Sequence, residues 1–398
     1  MTLPTLQNTD PLGLHIRYEK AGLILDSLPI PWNADAVIVE ANVRLPANEP
    51  RAKQDFTLRT AADAPAVSAE LITQESKQTP IRVFFRFCVP VQTCTAQVLW
   101  REHPLGQVEV PIISSAAFLQ GFSIEKPTLH VALGNRTVAC QSFVNTQAKT
   151  VLASALVRGV GPLAAALELD LRVQVQHSDG QHVGTVLVSL TSEQLRARQA
   201  LVTVLLPRLR TLGTYQVSWR LAARFLHTQP VRVVSKKTFL RSLRISATRF
   251  VLYKENDTMQ TVRSLPVRDG APLLDGIAQV APCFYVCSGE SGMAGIAQFT
   301  LRALAGNVIT TRAIKEDALV TDGPTPIVLG VVSARELDNI KHFTLEIGDT
   351  ILGNLPLVPA PKAEFNAEGG FAPLDDFLWS AAAEEQLNER LGKLLDDA

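Results

Sequence analysis

The side chains that could carry chemistry in this chain are few and widely spread. Five cysteines, Cys88, Cys94, Cys140, Cys283 and Cys287, form no CxxC pair and no disulfide-framework spacing, and a metal or redox site needs that closeness. Cys283 and Cys287 are four apart, so on an extended strand they share one face at roughly 13 Å, too far to grip a single ion. Reduced, metal-free thiols and a reducing compartment are the expectation. His177 and His182 flank Ser178-Asp179-Gly180-Gln181, but a metal site needs a further ligand, and Asp-Gly already accounts for a hairpin turn there.

Glycine and serine patterns give no more. Gly159-Val160-Gly161 and Gly289-Glu290-Ser291-Gly292 lack the spacings with which backbone amides cradle phosphate. Ser291 is not in a nucleophile elbow, because Met293 stands where the closing glycine belongs. No catalytic residue, cofactor or metal is assigned, and the chain is expected not to be an enzyme.

The elements that would have to position such residues are clearer. With 398 residues, 46% hydrophobic and 19% charged, the chain is a folding one with room for two to four domains. Its net charge is zero, which argues no global attraction to nucleic acid or membrane. Residues 1–13 lack the pattern of a secretory leader, and no apolar run approaches the ~18 residues that span a bilayer. A cytoplasmic protein is expected.

Alternation repeats three times. An apolar hairpin opens each unit: Leu14-His15-Ile16 running to Ser27-Leu28-Pro29-Ile30, Leu129-His130-Val131 to Ser142-Phe143-Val144, and Phe250-Val251-Leu252 to Ser264-Leu265-Pro266-Val267. Phe56-Thr57-Leu58-Arg59 recurs as Phe299-Thr300-Leu301-Arg302, with Leu169-Asp170-Leu171-Arg172 between them. A late strand recurs as Thr95 to Trp100, Thr214 to Trp219 and His342 to Ile347, and Phe118, Phe239 and Phe365 each open the segment that follows. Trp100 and Trp219 at one repeat position read as core. Trp32, in the Pro-bounded turn Pro29 to Asp35, is expected against a neighbouring domain or exposed.

Leu212-Gly213-Thr214-Tyr215-Gln216-Val217 resembles the penultimate strand of immunoglobulin-like domains, with Val217 where the bridging cysteine would stand. The resemblance implies all-β sandwiches. The expected architecture is three tandem immunoglobulin-like β-sandwich repeats, at 1–113, 114–236 and 237–360, followed by a linker and C-terminal amphipathic α-helix at 361–398.

Two charge features stand out. From Arg196 to Arg249 no acid interrupts twelve basic residues, and Arg220, Arg224, Lys236, Lys237 and Arg241 are candidate contacts for nucleic acid or another polyanion, against the plainer reading of a solvated surface. The tail is acidic, with Glu384, Glu385, Glu389, Asp396 and Asp397, and 100° periodicity gathers Phe377, Trp379, Leu387, Leu391, Leu394 and Leu395 on one stripe. Such a helix must bury its stripe against its own sandwiches, a partner protein or a second copy, and its acidic face argues against an anionic membrane. The expected function is a non-enzymatic soluble adaptor or scaffold that mediates protein–protein interaction through this helix. Alternatives are a structural subunit of a larger particle, such as a virion or injection apparatus, or a carbohydrate-binding module.

Overall fold

In the computed structural model the alternating segments form strands, with one face of each in a core. It describes residues 13–357 apart from 45–51, 61–64, 75–79, 255–258, 263–264, 266, 269–270, 273–275, 306–307 and 310–313. The tail helix expected at 361–398 lies outside the described residues.

The first sandwich places β1 (Gly13–Lys20) beside β3 (Ala36–Val43) and β5 (Ile81–Phe87), with β2 (Ile30–Pro31) set apart from them. Facing them are β4 (Phe56–Arg59), β6 (Cys94–Trp100) and β7 (His103–Val110). Tyr18, Val37, Val39, Phe56, Phe85 and Val98 fill the space between the sheets. The short β8 (Ile112–Ile113) runs parallel to β2.

A seven-residue helix, α1 (Ser115–Gly121), leads into the second sandwich. One sheet there joins β9 (Ser123–Leu133), β11 (Ala148–Arg158) and β14 (Gln199–Leu205); β10 (Ser142–Val144) lies in the other. That second sheet runs β13 (His182–Leu187), β12 (Leu171–His177), β15 (Gly213–Leu221), β16 (Arg224–Val234), then β10. A further short helix, α2 (Ser192–Arg196), precedes β14 and is closed by a Thr191/Gln194 capping box. In β15, Tyr215, Val217, Trp219 and Leu221 are buried. Trp219 is paired with Val173 across β12 and β15. The Tyr215 hydroxyl donates to the Thr211 carbonyl at 2.9 Å, the corner that immunoglobulin-like domains build at this strand.

The third sandwich follows α3 (Lys236–Ser242), a second seven-residue connector. It pairs β17 (Leu243–Lys254) with β18 (Ile277–Ser288), and β18 in turn with β21 (Thr325–Ile327). Its other sheet holds β19 (Met293–Ala305), β20 (Ile314–Val320), β22 (His342–Ile347) and β23 (Thr350–Pro356). The fold is all-β, three immunoglobulin-like sandwiches in tandem.

The opening hairpins differ from expectation in their second arm. Cross-strand pairing with β1 is made by Leu23–Leu25, whereas Ile30–Pro31 crosses to pair with β8. Likewise β9 pairs with Arg136–Ala139, and β10 crosses to lie parallel to β16. The physical reason is burial: Ile30 and Pro31, and Ser142, Phe143 and Val144, are all buried, which the outer position beside β1 or β9 would not provide.

Two built junctions result. At the first, the Ile30 amide donates to the Pro111 carbonyl at 2.8 Å, and the Trp32 ring packs on Phe118 at 5.6 Å between centroids. Lys20, 2% exposed, meets Glu168 of the second sandwich at 2.5 Å and donates to the Asn33 carbonyl. At the second junction β10 is hydrogen-bonded to β16 on one edge and to Met293 and Ala294 of β19 on the other, so one sheet continues from the second sandwich into the third. The Gln147 side chain completes it, accepting from the Ile296 amide and donating to the Ile296 carbonyl, both at 2.7 Å. Both glycine motifs lie at these seams. The Gly292 carbonyl accepts from the Gln141 and Ser142 amides, and its φ of +67° is one that glycine adopts without strain. Residues are also exchanged: Ala164 and Leu195 belong to the first core, Val144 and Val234 to the third.

The Lys20–Glu168 contact at the first junction is expected to weaken in acid. The hydrogen bond from Lys20 holds the Glu168 carboxyl below the usual carboxylate range, aided by the Lys20 charge and Asn33 and opposed by partial burial. A depressed folded value means the contact stabilises above the ordinary range and is lost as pH falls through the lower folded value. Glu168→Gln should therefore cost about 1 kcal/mol at neutral pH, a modest figure because the carboxylate is 64% exposed. It should also flatten the acid limb of a thermal-melt series between about pH 6 and 3. An unchanged acid limb would mean that the ion pair does not couple the two sandwiches.

Candidate interaction surfaces

The five basic residues singled out from sequence separate into two groups. Arg220 on β15 and Arg224, the first residue of β16, lie at the α1 end of the second sandwich. Lys236, Lys237 and Arg241 lie on α3 beyond the other end of β16, roughly 30 Å away at strand rise. The structure does not gather them into one patch. Arg220 donates to Gln174 Oε1 at 2.9 Å and lies 4.1 Å from the Phe225 ring centroid, and Arg224 donates to the Leu119 carbonyl. These two are thus engaged with their own sandwich. Lys236, Lys237 and Arg241 are exposed and make no ion pair among the described residues. The tail residues Phe377, Trp379, Leu387, Leu391 and Leu394 lie outside the described residues.

Folding collects a different cationic group. Lys149 at the start of β11 meets Arg208 and Arg210, from the loop after β14, around a cleft of about 700 Å³. Phe143, Leu206 and Leu209 supply its apolar side, and no carboxylate is among the described residues lining it. Asn145 fixes this geometry: its amide donates to the Val234 carbonyl at 3.1 Å, and its side chain donates to the Arg210 carbonyl at 3.3 Å.

An apolar face adjoins the cleft through Leu205. Antiparallel register sets Leu205 opposite Leu152 and Leu201 opposite Leu156, on the side of β11 and β14 turned away from the core. Leu201 is 66% and Leu205 56% exposed. Between the two leucine pairs, Ser154 and Thr203 hydroxyls hydrogen-bond at 2.9 Å. Sequence reasoning passed over this face. Its signal is the run Ala200 to Leu205, where leucine stands at positions that alternation assigns to solvent.

The residues weighed for chemistry are placed apart. His177 packs edge-on against Tyr215 at 4.8 Å, and its Nδ1 lies 2.9 Å from Asp179 Oδ1. His182 turns instead to Gln174 and Thr185. The Asp179 carboxyl is held below its ordinary range, first by the Gln181 amide and then by His177. Cys140 is buried, and desolvation pushes its thiol up to about 12. Among the described residues no three His, Cys, Asp or Glu side chains converge as a metal site would require. Trp32 is half-buried against Phe118 at the first junction.

No family model and no curated protein sequence matches the chain. Among solved structures it is similar to surface layer protein SbsC, domains 4–9, at 10% identity and a TM-score of 0.29, covering 88% of this chain and 48% of that one. It is similar to invasin, a bacterial integrin-binding protein, at 13% identity and 0.23, covering 87% and 60%. It is also similar to the Escherichia coli adhesin FdeC at 9% identity and 0.26, covering 88% and 96%. The chain spans about half to three-fifths of the length of the first two. The immunoglobulin-like assignment rests on the chain's own sheet order, crossed arms and tyrosine corner.

Proposed function

We propose that the chain is a non-enzymatic adaptor or scaffold of a reducing, cytoplasmic compartment, whose joined sandwiches carry a protein-docking tail. The observation that carries this reading is the seam between the second and third sandwiches. There β10 is paired on both edges, so the two bodies share a sheet. A body fastened at its joints suits holding attachments at set separations better than it suits a flexible tether. The first and third sandwiches grip the second through opposite ends of β11, where Gln147 meets Ile296 just before the strand and the Gly159 amide meets Arg198 just after it, beside Leu28. Among the described residues, Leu201 and Leu205 between those ends stay exposed.

The docking role is proposed for the stripe of Phe377, Trp379, Leu387, Leu391 and Leu394, because an amphipathic helix of this length needs a surface to bury against. Leu387→Asp is expected to cut recovery of a cross-linked partner by at least tenfold, with β-sheet circular dichroism unchanged. Equal recovery from the wild type and the variant would remove the tail from the docking role.

A further inference from the structure

We propose that the acidic tail docks on its own second sandwich, with its apolar stripe along the leucine face of β11 and β14 and the Glu384 carboxylate, on the stripe's side of the helix, at the Lys149, Arg208 and Arg210 cleft. This goes beyond the adaptor reading: the tail has an internal acceptor, and an outside partner must compete with it.

Complementarity carries the assignment. The face offers Leu152, Leu156, Leu201 and Leu205, with the last two more than half exposed, and a face of this kind on a folded chain calls for a cover. Beside it stand three cations around an apolar-sided cleft with no acid among the described lining residues. The occupant must therefore be amphipathic and acidic. Within this chain the segment from Asp375 to Asp397 has that character, with its leucines on one stripe, Glu384 on the same side of the helix, and Glu385 and Glu389 opposite.

Reach permits it. The described chain ends at Leu357, just after Pro356, which pairs with His342, and His342 pairs with Leu304 of β19. Ala294, at the other end of the same strand, pairs with Phe143, which lines the cleft. Ala294 to Leu304 is roughly 33 Å at strand rise. Residues 358–374 can extend over ~56 Å. A tether that spans its site with length to spare holds the ligand at an effective concentration on the order of millimolar, which favours the chain's own tail over a second copy.

The test uses the full chain. Carbodiimide coupling should join Lys149 to Glu384 within a monomer, and amides of 385–395 should exchange at least tenfold more slowly than in the double variant Arg208→Glu/Arg210→Glu. Both substituted residues are exposed, so the variant should keep the wild-type β-sheet circular dichroism. If the adaptor reading also holds, this variant should recover more partner than the wild type. Failure of that reading alone would leave the coupling and exchange results intact. Identical exchange in both proteins would overturn the proposal. So would tail cross-links confined to the third sandwich, or protection that appears only as a dimer forms with rising concentration.

Discussion

Phe239→Ala should destabilise the third sandwich by about 3–5 kcal/mol and split its unfolding from that of the second. Phe239 is fully buried in the third core although it sits on α3, outside either sheet. Its position is set locally: the Ser235 side chain accepts from the Thr238 amide at 3.1 Å, which starts the helix and turns the next residue inward. The ring then lies over Gly295 of β19 so closely that a Cβ added there would meet it at 2.8 Å. Removing the ring opens a cavity where α3, β10 and β19 meet, and neighbours fastened by strand pairing have little freedom to collapse into it. Calorimetry of the full chain should show a new transition at lower temperature. One unshifted transition would mean that α3 is a tether and not a structural joint.

Phe118 and Phe239 show what alternation leaves hidden. Both phenylalanines are legible as repeat markers, as are the strands of the Phe56 and Phe299 motifs, because period-2 alternation over four or more residues leaves little choice of face. The helices that carry them are not legible by periodicity, since seven residues cover barely two turns. The signal that was available is a cap: Ser114 and Ser235 each stand four residues before the phenylalanine and accept from the amide three residues on. The crossing of β2 and β10 was hidden for a different reason. Parallel pairing joins residues far apart in the chain and needs no local turn, so Ser142-Phe143-Val144 looks in sequence like the return arm of a hairpin.

Charge was legible in quantity and illegible in place. A strand sends successive side chains to opposite faces and rises ~3.3 Å per residue, so a run of basic residues is spread over both sides of a sheet and along its length. Arg220 and Arg224 are engaged at one end of the second sandwich, and Lys236, Lys237 and Arg241 stand at the other. The group that does converge takes Arg208 and Arg210 from the basic run but Lys149 from a strand some sixty residues earlier. Only the antiparallel register of β11 and β14 brings them together.

Gln147 is the second residue whose loss should be large. Strand β19 is paired with β20 along one edge from Gly295 onward, while its other edge meets β22 only from Thr300. Between the β10 contact at Ala294 and the start of β22, the Ile296 amide and carbonyl face an open stretch of strand edge. Gln147 fills that gap, its side-chain amide standing in for one residue of a neighbouring strand with both hydrogen bonds at 2.7 Å. Alanine there removes both bonds at once and strands a backbone donor and acceptor in a part-buried seam, which costs more than the bonds' own net contribution. Gln147→Ala is expected to lower stability by about 2–3 kcal/mol. Its effect should be less than additive with that of Phe239→Ala, because both act on the same joint. Gln147→Glu separates hydrogen bonding from packing: an ionised carboxylate still accepts from the Ile296 amide but cannot donate to its carbonyl, so most of the loss should remain. A double-mutant cycle measured by chemical denaturation reads both effects. Full additivity would show that Gln147 and Phe239 act at independent places and that the shared sheet does not transmit between the two sandwiches.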